Sequence, residues 1–337
     1  MKNLSFLDRY LTLWIFLAIA LGALLGLLVP SFAINIGKLQ YGSTSIPLAI
    51  GLVLMMYPPL ANVKYNELGL IFKDTRLLLL SMVQNWLIGP LLMFALAAIL
   101  LPDRPEYFSG LMLIGIARCI AMVIVWSDLA GGNRQYTAAL VAFNSVFQVL
   151  FYSIYAFIFA GWLPEKIGLK GFNVNISITQ VAISTGIYLG LPFMLGILSQ
   201  WLIGKWKSKE WFQEKYLPAI SPITLLALLF TIVIMFSLKG NLLLTLPFEV
   251  FRIALPLTAY FVIMFFGAYW LAKKAGADKE RAISLAFTAA GNNFELGIAV
   301  AIAIFGINSG QALATIVGPL IEVPVLILMV KAVKNRK

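Results

Sequence analysis

The chain has 337 residues, of which 61% are hydrophobic and only 12% are charged, with a mean hydropathy of +0.93. Soluble domains contain about 45–50% apolar and about 25% charged residues, so this composition excludes an ordinary soluble protein and predicts an integral membrane protein. The net charge of +11 does not indicate a nucleic-acid partner, because the basic residues lie in short links between apolar runs. One cysteine and no histidine exclude an intramolecular disulfide, a multi-cysteine metal cage and a histidine proton relay.

Apolar runs long enough to span a bilayer recur ten times along the chain. The first run is too long for a signal-peptide core, so we expect it to be retained as the first helix. No link is long enough to fold as a soluble domain, and 1–337 is therefore expected to be a single membrane domain. The longest link, 204–217, is predicted to be a loop at the membrane interface, anchored by Trp206 and Trp211. The predicted spans cover 10–29, 45–62, 77–101, 108–129, 135–161, 178–203, 218–238, 247–272, 282–305 and 310–330.

The lysines and arginines of the links are distributed unequally between the two sides of the membrane. Eighteen lie on the side of the N-terminus and six on the other, and Arg118 lies within a span. Because cytoplasmic links carry the excess of positive charge, both termini are predicted to lie in the cytoplasm and the protein in the cell membrane. An even number of spans satisfies this orientation.

Ten spans divide into two halves of five, and five is an odd number. A duplicated five-span unit must therefore insert its second copy upside down, the inverted repeat found in many secondary transporters. We place repeat one at about 1–170 and repeat two at about 171–337. A shift of 176 aligns GGNRQYTAALV with INSGQALATIV and sets Cys119 opposite Glu295.

Polar residues interrupt the fourth and ninth spans near their centres. The fourth carries Arg118 and Cys119, with Gly115 as its nearest helix breaker, and the ninth carries Gly291, Asn292 and Asn293. Asparagine and glycine are weak helix formers, and transporter sites lie near the midplane on helices that break there. A charge at this depth costs at least about 2.5–3.5 kcal/mol and usually marks a functional site.

Glu295 and Cys119 are the main candidates for chemistry, and each has a structural alternative. Glu295 can bind and release a proton during a transport cycle, or it can form a fixed ion pair with Arg118. Cys119 can be a small buried apolar residue or a thiolate, favoured by Arg118, that binds a thiophilic substrate. The residues alone leave this choice open.

Further polar groups lie within the spans. Asn144 and Gln148 share one face of the fifth span, and Glu322 follows Gly318-Pro319 in the tenth. For Glu322 a functional role is favoured, because a carboxylate inside the membrane is costly. Asn144 can line a pathway or join helices.

Several long motifs resemble the arsenical-resistance arsenite efflux permeases, within the superfamily of bile acid/sodium symporters and arsenical-resistance transporters. They are GLVLMMYPPLANVKY, GIARCIAMVIVWSDLAGG, NRQYTAALVAFNSVFQVLFYSIYAF, FTAAGNNFELGIAVAIAIFGINSGQA and VGPLIEVPVLI. The resemblance implies a panel domain and a core domain, with broken helices four and nine crossing in the core. It also implies efflux of As(OH)3, and in many members antimonite, in exchange for protons, with no cofactor and no enzymatic activity.

The family's required cysteine and glutamate fall on Cys119, as a transient ligand of trivalent arsenic, and on Glu295. Pathway roles for Arg118, Asn144, Asn292, Asn293 and Glu322 are expected from the same motifs. Gly291 departs from the family pattern, where a serine is expected, which weakens any claim of ion coordination there.

Two other functions are considered. A sodium-coupled organic-anion symporter of the same superfamily would use Asn292, Asn293 and Glu295 as Na⁺ ligands and Arg118 to pair the anion. An intramembrane enzyme or receptor is disfavoured, since no catalytic dyad stands at a recognisable spacing.

Overall fold

The computed structural model describes residues 10–41, 44–63, 68–120, 122–169, 177–245, 247–306 and 309–334. These residues are helical throughout their regular structure, apart from the antiparallel pair β1 (Gln40–Tyr41) and β2 (Thr44–Ser45). The helices are α1 (Leu11–Leu28), α2 (Pro30–Lys38), α3 (Ile46–Ala61), α4 (Leu68–Phe72), α5 (Thr75–Leu100), α6 (Pro105–Gly115), α7 (Met122–Ala130), α8 (Arg134–Lys166), α9 (Ile178–Trp206), α10 (Leu217–Thr245, continuous with the turns Lys209–Trp211 and Phe212–Tyr216), α11 (Pro247–Lys274), α12 (Lys279–Ala290), α13 (Phe294–Phe305) and α14 (Gly310–Lys334).

Every predicted apolar run lies on one of these helices or on a pair of them. Among the described residues, the helices α5, α8, α9, α11 and α14 and the helix Lys209–Ser237 are each long and apolar enough to cross a membrane. The remaining runs form shorter apolar helices, among them Phe294–Phe305. The chain is therefore an all-helical, multi-pass membrane protein.

The stretch 204–217 differs from the prediction, because it is mostly helical rather than a loop. Helix α9 continues to Trp206, and helical structure resumes at Lys209. Ser208 makes this restart possible, since its hydroxyl accepts a hydrogen bond from the Trp211 N–H at 3.0 Å. Trp206 is 86% exposed, whereas Phe212 is buried.

Four π-helical turns in the described residues each end two residues before a proline. A proline has no N–H and its ring collides with the carbonyl four residues earlier in a regular α-helix. In each case that carbonyl lies inside the π turn, where the wider backbone makes room for the ring. The helix thus continues through the proline. The turns are Gln84–Ile88, Phe157–Trp162, Gly186–Gly190 and Phe212–Tyr216, before Pro90, Pro164, Pro192 and Pro218.

The helices pack as two groups. In the first, α10 lies along α1 and α3, and α9 packs on α3; the second contains α5 to α8 and α11 to α14. Gly22 and Gly26 of α1 let its backbone approach α10, since a Cβ at Gly22 would lie 2.6 Å from the Val233 carbonyl oxygen. Such spacing of small residues is typical of close helix pairs in membranes. Helix α13 contacts both α9 and α3, so it lies where the two groups meet.

Candidate functional site

The fourth predicted span is interrupted between α6 and α7. Helix α6 ends at Gly115, which is packed so tightly against α5 that a Cβ there would lie 2.5 Å from Met93 Cγ. The residues Ile116–Ile120 are not helical, and α7 begins at Met122. The predicted break at Arg118 and Cys119 is therefore confirmed, although Gly115 was its only strong sequence signal.

The ninth predicted span is interrupted between α12 and α13. Gly291 ends α12 in an extended conformation, with φ −72° and ψ 138°, and α13 begins at Phe294. The Asn293 side chain accepts a hydrogen bond from the Leu296 N–H at 3.0 Å and so caps α13. Gly291, Asn292 and Asn293 thus break this helix as predicted.

The two interruptions cross and pair through their backbones. Arg118 and Asn292 form an isolated antiparallel bridge. The Cys119 N–H donates to the Gly291 carbonyl at 3.2 Å, and the Asn293 N–H donates to the Ala117 carbonyl at 3.1 Å. Backbone groups freed from a helix at membrane depth must find partners within the protein, and here each interruption satisfies the other.

Asn292 reinforces this crossing with its side chain. Its Nδ2 donates to the carbonyl oxygens of Ile114 at 2.9 Å and Ala117 at 3.0 Å, both at the end of α6 or just after it. Asn292 Oδ1 and Asn293 Nδ2 are buried without a hydrogen-bond partner among the described residues. These two atoms can serve a polar ligand.

Arg118 is fully buried, and its guanidinium contacts backbone rather than a carboxylate. Nη1 donates to the Tyr260 hydroxyl at 2.8 Å and to the Ala289 carbonyl at 3.1 Å, and Nη2 donates to the Gly115 carbonyl. No ion pair of Arg118 occurs within the described part of the chain. The alternative of a fixed ion pair between Arg118 and Glu295 is therefore wrong.

Cys119 lies at the start of α7, next to the interruption of the other helix. It is 8% exposed and has no disulfide partner, since it is the chain's only cysteine. A Cβ placed on Gly291 would lie 3.1 Å from Cys119 Cβ and 3.8 Å from Glu322 Oε1. The thiol and the Glu322 carboxylate therefore flank the same backbone position.

The two intramembrane carboxylates occupy different places around the crossing. Glu322 of α14 is buried, and its Oε1 accepts a hydrogen bond from the Asn292 N–H at 3.3 Å. Glu295 is half-buried in the first turn of α13, where the positive end of the helix favours a negative charge.

Glu295 lines a cavity between the two helix groups. The cavity is small, with about 20 Å³ of free space, enough for about one water molecule. Its other lining residues are apolar, except for Thr231, and come from α1, α3, α10, α13 and α14; they include Ile15, Met55, Ile298 and Pro319. The apolar lining suits a small neutral solute once the cavity widens, and Glu295 supplies a strong hydrogen-bond acceptor.

Asn144 lies away from this cavity, inside the second helix group. Its Oδ1 accepts a hydrogen bond from the Trp86 Nε1–H at 3.1 Å. One turn further along α8, Gln148 accepts a hydrogen bond from the Arg118 backbone N–H. The structure thus brings Arg118, Cys119, Asn292, Asn293 and Glu322 together at the crossing, with Glu295 on the cavity wall and Asn144 outside both.

Three polar residues belong to this site although the sequence did not place them there, and of the three only Gln148 was noted, as a neighbour of Asn144 on the fifth span. They are Tyr260 and Gln148, which bind Arg118, and Thr231, whose buried hydroxyl has no partner among the described residues. Each is a polar residue within an apolar span, which is the only signal that marks them.

The amino-acid sequence is similar to known membrane transporters over almost its whole length. The model of the sodium bile acid symporter family matches residues 49–246. The chain is 47% identical to the arsenical-resistance protein Acr3 of Corynebacterium glutamicum over 330 residues, covering 98% of this chain and 89% of that protein. It is 34% identical to the Acr3 protein of Alkaliphilus metalliredigens over 345 residues, covering 99% of this chain and 94% of that protein.

The chain belongs to the Acr3 arsenical-resistance protein family, within the sodium bile acid symporter family. The resemblance predicted from the motifs is therefore confirmed. A relative named only as an uncharacterised transporter, from Synechocystis, is 35% identical over 352 residues, covering 99% of this chain and 90% of its own. Membership places this Acr3-family chain among membrane transporters rather than enzymes.

Proposed function

We propose that this Acr3-family protein exports arsenite, As(OH)3, across the cell membrane in exchange for protons. The observation that carries the proposal is the placement of the chain's single thiol in the crossing, with the half-buried Glu295 carboxylate in the first turn of α13, on the cavity wall. The names of the two relatives support arsenic as the substrate, and antimonite is the expected second one.

The chemistry of the site suits this substrate. Trivalent arsenic is thiophilic, and at neutral pH As(OH)3 is uncharged, so a largely apolar lining suits it when the cavity widens during the transport cycle. Its hydroxyl groups can donate hydrogen bonds to the Glu295 carboxylate. Bond formation with Cys119 joins sulfur to arsenic and releases the thiol proton with one hydroxyl group as water. A single thiolate permits release, because no chelate of three sulfurs can form.

The same proposal assigns the topology. Ten spans form two inverted repeats, about 1–170 and 171–337 within one membrane domain, and both termini lie in the cytoplasm. The pairing of one interruption in each half supports the repeats, and the eighteen-to-six distribution of basic residues supports the orientation. The two helix groups then rock against each other around the crossing and expose the cavity to either side.

The site residues take the following proposed roles. Cys119 binds arsenic transiently. When Glu295 is deprotonated, its carboxylate accepts hydrogen bonds from the substrate hydroxyls, and when it is protonated, it releases the substrate. Asn292 and Asn293 offer their unpaired buried amide atoms to the substrate. Glu322 stabilises the crossing through its hydrogen bond with Asn292 and places a carboxyl group near Cys119. Arg118 and Asn144 do not contact the substrate in this proposal but hold the helices that line the pathway.

Arsenite uptake into everted membrane vesicles tests this function. In sodium-free buffer, an acid-inside pH gradient is expected to drive uptake in the wild type and in the exposed control Glu165→Gln, but not in Glu295→Gln. Uptake that persists in Glu295→Gln would remove Glu295 from proton coupling. Uptake that requires sodium would instead favour the sodium-coupled symporter, the function that the family description suggests.

A further inference from the structure

Two half-helices end at the Arg118 guanidinium. Helix α6 ends at Gly115 and α12 ends at Ala290, and the carbonyl oxygens that the guanidinium binds belong to Gly115 and Ala289. These carbonyls are among those that the end of a helix leaves without an intrahelical partner. The third ligand is the Tyr260 hydroxyl of α11.

The charges at this point balance. The C-terminal end of a helix carries about −0.5 of an elementary charge, so two converging ends carry about −1. One guanidinium supplies +1. No carboxylate lies within ion-pair distance of it in the described residues. The arginine therefore neutralises backbone dipoles.

The surroundings enclose the two Nη atoms of the guanidinium closely, whereas Nε is buried without a hydrogen-bond partner among the described residues. Arg118 is fully buried, and a Cβ on Gly89 of α5 would lie 3.1 Å from both Nη atoms. Glycine at this position leaves room for the guanidinium. In transporters with broken helices, freed carbonyls and the C-terminal ends of half-helices are the groups that bind a coupling cation.

We propose that the carbonyl oxygens of Gly115 and Ala289 and the Tyr260 hydroxyl form a monovalent-cation site that the protein's own Arg118 guanidinium fills permanently. The tethered cation makes a dissolved one unnecessary, so the crossing is stable without sodium. Removal of the guanidinium leaves a site of hard oxygen ligands with excess negative potential, which takes Na⁺ or free guanidinium.

Thermal unfolding of the purified full-length protein tests this inference without any substrate, so its outcome is independent of the proposed arsenite transport. Melting temperatures are compared in sodium chloride, choline chloride, and choline chloride with millimolar guanidinium chloride. The wild type and the exposed control Arg76→Ser are expected to melt at the same temperature in all three. Arg118→Ser is expected to melt lower in choline and to recover by at least about 3 °C in sodium or guanidinium.

Two further variants keep the test decisive if Arg118→Ser does not fold. Arg118→Lys retains a fixed positive charge and is expected to fold without responding to sodium. Arg118→Gln fills much of the space without the charge and is expected to melt lower than Arg118→Lys in choline and to be stabilised by sodium. Three outcomes would each overturn the proposal. They are equal stability of the Lys and Gln variants, no cation response in the neutral variants, and stabilisation of the wild type by sodium.

Discussion

The backbone N–H of Cys119 donates a hydrogen bond to the carbonyl of Gly291, so the only thiol of the chain is fixed by main chain to the interruption of another helix. A thiol on a continuous helix would depend on side-chain packing for its position. Here the thiol and the backbone it faces move together, and a ligand at Cys119 contacts both interrupted helices at once. Substrate binding at this point can therefore influence how the helix groups are arranged.

Replacement of Cys119 is expected to abolish most arsenite transport while leaving the fold intact. Cys119→Ser keeps a small side chain in a site that is 8% exposed, but an alkoxyl oxygen does not replace sulfur as an arsenic ligand. We expect arsenite uptake in everted vesicles to fall at least tenfold, with an unchanged melting temperature.

The wild-type chain also reports on Cys119 directly, because it contains no other cysteine. Alkylation with a maleimide is expected to be slow, since the thiol is buried, and to be slowed further by saturating arsenite. Alkylation that arsenite leaves unchanged, together with full transport by Cys119→Ser, would show that the thiol only lines the crossing.

Enlarging Gly291 is expected to disturb the crossing. A Cβ at this position would lie 3.1 Å from Cys119 Cβ and 3.2 Å from the Phe287 carbonyl oxygen, closer than ordinary contact. Overpacking by one methyl group costs about 1–3 kcal/mol of folding free energy. Gly291→Ala is therefore expected to lower both the melting temperature and arsenite transport. The matched control is Gly267→Ala, which has open space around it and lies in the middle of α11, where alanine is about 0.5–1 kcal/mol better than glycine. If the two variants have the same melting temperature and transport rate, the close approach at Gly291 does not contribute to stability or transport.

Asn292→Asp is expected to destabilise the protein although the side chains have the same shape. The asparagine amide donates to the carbonyls of Ile114 and Ala117, and an aspartate would place an acceptor against two acceptors. The expected loss is about 2–4 kcal/mol, because both carbonyls and the new carboxyl are buried. Thermal unfolding in detergent measures it, with the exposed Asn62→Asp as the control. A melting temperature equal to that of the control would contradict the bridging role of Asn292.

The turn between α5 and α6 is expected to add an acid-sensitive contribution to stability. The Arg252 guanidinium, hydrogen-bonded to Asp103, holds the pKa of that exposed carboxyl below its ordinary value. A lowered pKa stabilises the folded state above the unfolded pKa, about 3.9, and this stabilisation disappears as the pH falls through the folded value. Melting temperatures of the wild type and Asp103→Asn are expected to differ slightly at pH 7 and to converge below about pH 4. The variant Glu165→Gln serves as the control, and a difference that grows on acidification would refute the assignment.

Much of the fold could be predicted because bilayer-spanning helices are recognisable by apolar length alone. The ninth-span break was visible in Gly291, Asn292 and Asn293, since these residues are weak helix formers. The fourth-span break was less visible, because Ile116 and Ile120 are apolar and the break depends on partners such as Gln148 and Asn292. The helical stretch after Ser208 was missed, because lysines and a serine also occur in loops.

The partners of Arg118 could not be predicted at all. Two of them are carbonyl oxygens, which no side-chain pattern reveals, and the third is a tyrosine 142 residues away in the sequence. An ion pair with Glu295 was the simplest expectation from charge, yet two helix ends together supply as much negative potential as one carboxylate. Backbone dipoles are invisible in a sequence until the ends of the helices are known.

The distance along the chain between Arg118 and its partners has a consequence for biosynthesis. Tyr260 is made 142 residues after Arg118 and Ala289 is made 171 residues after it. At about 5–20 residues per second, the ribosome needs roughly 7–35 s to deliver them. During that interval the nascent fourth span holds a charge that costs about 2.5–3.5 kcal/mol to insert without its later ligands. Chains truncated before α11 are therefore expected to insert this span poorly and to be degraded. Stable insertion of the fourth span thus requires the later helices α11 and α12.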